Sequence, residues 1–183
     1  MPPNEYDITH VHVEPELLTE AIITEHQIGP GEEIFTTGMF NTVLGTNLNR
    51  PIVRIGTIAA MPAEPIETRS GYSLPSYLVE VRSIAGLSGS PVFVHMAPLR
   101  VLRGRTVTET VAKTHYFLGV MQGAFHTSDA TDMVSPDEDF APGDMNAGIG
   151  VVTPGTHVME LLNIPELKDA RERIVVELAK KSE

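Results

Sequence analysis

The stretch Gly86-Leu87-Ser88-Gly89-Ser90-Pro91-Val92-Phe93 sets a serine between glycines, then a proline, then an apolar run. Glycines beside a serine let the backbone turn sharply and bring its N–H groups close to whatever the hydroxyl attacks. The Val92-Phe93-Val94 run that follows has the β-branched and aromatic content of a strand able to hold such a turn rigidly. Two readings stand at this point. Ser88 is a catalytic nucleophile, or the stretch is a Gly-Ser turn entering a strand.

Working upstream, Tyr77-Leu78-Val79-Glu80-Val81 reads as a strand ending just before the serine turn, so Ser88 lies on a loop between strands. Before it, Pro62, Pro65, Gly71 and Pro75 mark an irregular connection. Ile34-Phe35-Thr36-Thr37-Gly38-Met39 and the run from Ile52 to Ala59 predict two more strands, which read as a meander. Ala21-Ile22-Ile23 is a short apolar run. At the front, residues 6–13 alternate as a strand, with Asp7, Thr9, Val11 and Val13 on one face and Ile8, His10, His12 and Glu14 on the other. That second face is either a solvated polar surface or a set of metal ligands built from His10, His12 and Glu14.

Downstream, Arg100-Val101-Leu102-Arg103-Gly104-Arg105 predicts a solvated hairpin or loop, and residues 116–123 a further strand. Residues 127–146 hold six carboxylates and little apolar content, which predicts a long exposed loop; their order does not fit a twelve-residue calcium loop. Gly148-Ile149-Gly150-Val151-Val152 is a last strand. Thr153 and Pro154 then predict a helix start, with Thr153 as N-cap and Pro154 in the first turn, running to about Leu162. A second helix is predicted over residues 165–181, with Leu167, Ala170, Ile174, Leu178 and Lys181 three or four apart.

The composition bounds the rest. With 183 residues, 42% hydrophobic and 20% charged, the chain has enough apolar content for one domain with a real core. Fifteen glycines and fourteen prolines among short apolar runs favour a β-rich, loop-rich architecture. A net charge of −11 argues against a nucleic-acid partner, because phosphates need a basic surface. No run approaches the eighteen or so apolar residues of a membrane span, and no signal peptide is visible; the chain as given reads as soluble and cytoplasmic. The absence of cysteine removes disulfides, thiolate metal sites and a cysteine nucleophile, and leaves the compartment open. The serine turn does not fit the Gly-x-Ser-x-Gly elbow of α/β-hydrolases, and the chain has neither a phosphate-binding P-loop nor a His-Glu-x-x-His motif.

The ordered signatures Asp7-Ile8-Thr9, Gly31-Glu32-Glu33-Ile34, Arg54-Ile55-Gly56-Thr57-Ile58, residues 86–93, Phe117-Leu118-Gly119-Val120 and residues 148–154 resemble bacterial trypsin-like serine peptidases. The resemblance runs from Asp7 to about Leu162. In that family two six-stranded β-barrels pack together with the active site in the crevice between them. It implies a mostly β fold: the second antiparallel barrel plus the last strand of the first, with C-terminal helices. Residues 1–163 would then be a partial peptidase domain and residues 164–183 a helical extension.

By the same resemblance Ser88 is the nucleophile, the N–H groups of Gly86 and Ser88 form the oxyanion hole, and Asp7 is the triad acid. Gln122, Gly123 and Ala124 would be the edge on which an extended polypeptide substrate pairs, and residues 82–85 would line one wall of the specificity pocket. No metal or cofactor is implied. The family's histidine base precedes its acid, and six residues precede Asp7 here, so no residue matches it. The expectation is an N-terminally incomplete domain with activity lowered about a thousandfold or more. The alternative from another class is a noncatalytic relative that keeps the barrel to bind extended polypeptide.

Overall fold

The computed structural model of the chain describes residues 16–39, 51–67, 73–81, 87–97, 99–102, 104–108, 115–126 and 146–180. Six strands close into an antiparallel barrel: β1 (Glu33–Met39), β2 (Pro51–Ala60), β5 (Tyr77–Glu80), β6 (Pro91–His95), β9 (His115–His126) and β10 (Asn146–Pro154). Around the barrel they run β1-β2-β5-β10-β9-β6, and β6 returns to β1 to close it. In the predicted meander β1 lies beside β2, and β5 continues it on the other side of β2. Two small hairpins stand outside the barrel. One joins β3 (Pro65–Glu67) to β4 (Ser73–Pro75) within the proline-rich connection, and the other joins β7 (Leu99–Leu102) to β8 (Arg105–Thr108) on the basic run.

Period-two burial explains why these segments are strands. Ile34 and Thr36 of β1, Tyr77 and Val79 of β5, and Tyr116 and Leu118 of β9 turn inward, and the residues between them are less buried. Ile34, Ile58, Val79, Val81, Val92, Val94, Leu118, Met121 and Val151 fill the interior with almost no exposure. Leu87, just before Ser88, belongs to the same core. Outside the barrel wall, Phe93 stacks on Phe35 at 5.1 Å between centroids and tilts against Phe117 at 5.7 Å, the spacing at which aromatic pairs attract. Burial, followed by the charge of Glu20, pushes the Tyr77 phenol up to about 12.

The short Ala21-Ile22-Ile23 run lies in a helix, α1 (Glu20–His26). Thr19 caps it by accepting from the Ile22 N–H at 3.4 Å, Gln27 ends it in the left-handed conformation, and Ile22 and Ile23 pack against the core. The chain is tied to the barrel beside it by the Leu18 N–H, which donates to the Phe117 carbonyl at 3.0 Å.

At the other end, β10 runs on through Pro154, opposite Gly119, so helix α2 (Gly155–Leu162) starts one residue later than the Thr-Pro signal predicts. Pro154 stands at the N-cap with no side-chain cap bond, and Thr153 stays in the strand. Helix α3 (Pro165–Lys180) follows. Arg171 fastens it to the end of α2 by donating to the Leu162 carbonyl and to Asn163 Oδ1. No residue of α3 is buried; Leu167, Ile174 and Leu178, the spaced apolar residues, are exposed. Among the described residues no helix is long and apolar enough to cross a membrane.

Candidate functional site: the Ser88 turn and the β9 edge

Residues 87–90 form a tight turn at the mouth of the barrel. The Ser90 N–H donates back to the Leu87 carbonyl at 3.0 Å, and Gly89, third of the four residues, has φ +82°. That is the pattern of a type II turn, whose third residue needs positive φ and therefore favours glycine. Ser88 occupies the second position and is exposed, whereas Leu87 and Ser90 on either side are buried. The turn thus presents one hydroxyl to solvent from a backbone anchored at both ends.

Two further hydrogen bonds fasten the turn to β9. The Gly89 N–H donates to the Met121 carbonyl at 2.8 Å, and the Met121 N–H donates to the Ser90 carbonyl at 2.9 Å. On the opposite side the turn rests on β1. A Cβ added to Gly38 would overlap Ser90 Oγ, and would stand 2.8 Å from Leu87 Cδ2 and 3.3 Å from Ser90 Cβ. Only a residue without a side chain lets β1 approach so closely.

Beyond Met121, β9 changes character. Pairing of β6 with β9 ends at Pro91 opposite Val120, so among the described residues no strand pairs with Gln122, Gly123 and Ala124 on the side away from β10. On the β10 side Val151 faces Gly123 while Val152 faces Met121, which leaves Gln122 as the extra residue of a β-bulge. The Thr153 hydroxyl donates to Gln122 Oε1 at 3.5 Å, a long contact that draws this side chain toward β10. Ser88 and residues 122–124 are therefore brought together: the serine turn bonds to the residue immediately before a bulged stretch of β9 that pairs with no described strand on this side, where Gln122 is half-buried and Gly123 and Ala124 are buried.

Other sequence-level candidates lie apart or outside the described residues. Asp7, Gly86 and residues 82–85 lie outside them, as do His10, His12, Glu14 and most of the acidic segment at 127–146. Among the described residues no three His, Asp or Glu side chains stand together as a metal site. His95 and His115 face each other across β6 and β9 at the end of the strands away from Ser88, and His95 Nδ1 pairs with Glu33 Oε1 at 2.8 Å. Four residues of extended chain, about 13 Å, separate His95 from Pro91. His157 lies on α2 with Nδ1 buried and without a partner among the described residues. No described imidazole bonds to the Ser88 hydroxyl.

No protein-family model, curated protein or solved structure matches the chain.

The packing of Gly38 against Ser90 and the bulge at Gln122 are features around the turn that the sequence pattern did not single out, because what Gly38 faces is 52 positions away at Ser90.

Proposed function

We propose that this chain carries the nucleophile and substrate edge of a trypsin-like serine endopeptidase, acting through an acyl-enzyme on Ser88. The observation that carries this reading is exposed Ser88 on a turn hydrogen-bonded to Met121, next along β9 from residues 122–124, which pair with no described strand on that side. The six-stranded barrel supports it as well, since that is the unit the family resemblance implies. An extended peptide added to β9 through main-chain hydrogen bonds has its carbonyls running past the turn. A base takes the proton of Ser88, its oxygen attacks a carbonyl carbon, and oriented N–H groups stabilise the resulting oxyanion by roughly 3 kcal/mol each. The oxyanion collapses as the C–N bond breaks, the amine leaves with the proton held by the base, and water, deprotonated by the same base, then frees the acyl group and returns Ser88. In this proposal Ser88 and Gly86 supply those N–H groups and Asp7 orients the base, which no residue of this sequence matches.

A second reading is a noncatalytic barrel that binds extended polypeptide along the same edge. It needs only the edge at residues 122–124 and no base on Ser88. A fluorophosphonate probe with peptide mapping separates the two. Label on Ser88 that disappears in Ser88→Ala supports the peptidase. Peptide binding with no label on Ser88, even in a protein extended upstream to carry a histidine base, supports the binding module and overturns the peptidase.

A further inference from the structure

Inside the barrel, Thr36 of β1 is fully buried among apolar neighbours, opposite Val92 of β6. Valine fills the same space without taking a hydroxyl out of water, so packing alone gives no reason for threonine here. The hydroxyl has a specific partner. It donates to the carbonyl of Pro91 at 2.9 Å, across 55 positions of sequence. Pro91 is the first residue of β6 and directly follows the turn; lacking an N–H, it can join the sheet's hydrogen bonding only through that carbonyl.

The remaining bonds of the turn come from elsewhere. Ser90 N–H closes the turn on Leu87, and the two bonds to Met121 hold it against β9. Thr36 adds the bond from the β1 side, two residues from Gly38, whose bare backbone supports Ser90 and Leu87. The turn is thus gripped between β9 and β1, and its exit is fixed by a buried side chain that touches neither substrate edge nor serine.

We propose that Thr36 is a positioning residue for Ser88: its hydroxyl locks the start of β6 and, through Ser90 and Pro91, holds the serine turn in register with the β9 edge. This rests on the reading of Ser88 as nucleophile. A misplacement of about 1 Å at a reacting group is enough for a hundredfold loss of rate, so a bond three residues from the nucleophile is within range to matter.

The test uses the chain with Thr36→Val, which keeps the shape and removes the donor, and Thr36→Ser, which keeps the donor. Amide hydrogen exchange is read at Gly89 and Met121, the two N–H groups that cross between turn and β9, with Ile58 and Val79 as barrel references; fluorophosphonate labelling of Ser88 is read in parallel. Thr36→Val is expected to speed exchange at Gly89 and Met121 about tenfold, leave the references unchanged and slow labelling about tenfold or more, and Thr36→Ser to stay within about twofold of wild type. Equal exchange in wild type and Thr36→Val overturns the proposal, as does a uniform rise at all four amides. Thr36→Ser departing from wild type at Gly89 and Met121 by well over twofold also overturns it, and that arm decides alone if Thr36→Val does not fold. The expected exchange pattern with no label on Ser88, even in wild type extended upstream to carry a histidine base, keeps Thr36 as the seat of the turn and refutes the nucleophile reading instead.

Discussion

Gly38→Ala is the substitution through which β1 acts most directly on the serine turn. Gly38 has no positive φ, so alanine meets no backbone strain there, and by restricting the unfolded chain it contributes about 0.4–1 kcal/mol of stability. Against this stands the overlap of the new methyl with Ser90 Oγ and its 2.8 Å approach to Leu87 Cδ2. Rotating the Ser90 side chain relieves the first clash only. Leu87 is 1% exposed and locked in the core, so the second contact has to be met by moving β1 away from the turn. Overpacking of this kind costs roughly 1–3 kcal/mol, which exceeds the entropic gain and leaves a net loss of about 1–2 kcal/mol. At about 2–4 °C per kcal/mol for a domain of this size, the melting temperature falls by about 2–8 °C. The assay is thermal denaturation of Gly38→Ala, Leu87→Val and the double variant. Leu87→Val removes the Cδ2 that stands in the path of the methyl, so the double variant is expected to lose about 1 kcal/mol less than the sum of the single losses. Strict additivity, or a Gly38→Ala melting point equal to wild type, refutes the picture of β1 pressed against the turn.

Three further outcomes follow from the same geometry. Gly89→Ala places a side chain at φ +82° with open space around it, so the cost is the left-handed backbone alone, about 1–2 kcal/mol, and equilibrium denaturation with no loss refutes the turn type. Tyr77 binds its proton more tightly in the fold, at about 12 against the ordinary 10, so its contribution is intact below pH 10 and is lost as pH rises from 10 to 12. That loss amounts to about 2–3 kcal/mol, and Tyr77→Phe is expected to remove this part of the alkaline destabilisation; parallel urea melts of the two proteins across that range check it. Ending the chain after Asn163 removes α3, which has no buried residue, and is expected to move the melting point by less than about 2 °C; a drop beyond about 5 °C shows that α3 supports the barrel.

The strands were legible as short runs rich in β-branched and aromatic residues, bounded by glycine and proline. In Ile34-Phe35-Thr36 and Tyr77-Leu78-Val79 the inside and outside emerge only in the fold, where Thr36 is buried and Phe35 is less so. Which strands neighbour one another was legible only where they are consecutive. Closure of the barrel by β1 on β6 joins Thr36 to Val92, and nothing local in either segment encodes that contact. Helix α1 was hidden by its brevity: its three consecutive apolar residues show no helical period, and it is held by a Thr19 cap and by tertiary packing. The helix start at Thr153-Pro154 was displaced because pairing with β9 outlasts the capping signal.

At the site, Ser88 stood out through its glycines, and the β9 edge at Gln122-Gly123-Ala124 came from the resemblance alone. The bulge at Gln122 is a mismatch of register between two strands and exists in neither sequence taken singly. Thr36 was invisible for a similar reason. A threonine in a strand is ordinary, and only its place opposite the exit of the serine turn gives its hydroxyl a task.

The central claim is that Ser88 is a nucleophile held beside a peptide-binding edge, and covalent labelling addresses it most directly. Folded protein is exposed to a fluorophosphonate, digested and mapped by mass spectrometry, with Ser88→Ala alongside. In a protein extended upstream to carry a histidine base, the account predicts one dominant adduct, on Ser88, absent from Ser88→Ala and slowed by an extended peptide that competes for the β9 edge. A folded protein of that kind that leaves Ser88 unlabelled, or labels it no faster than its other exposed serines, contradicts it.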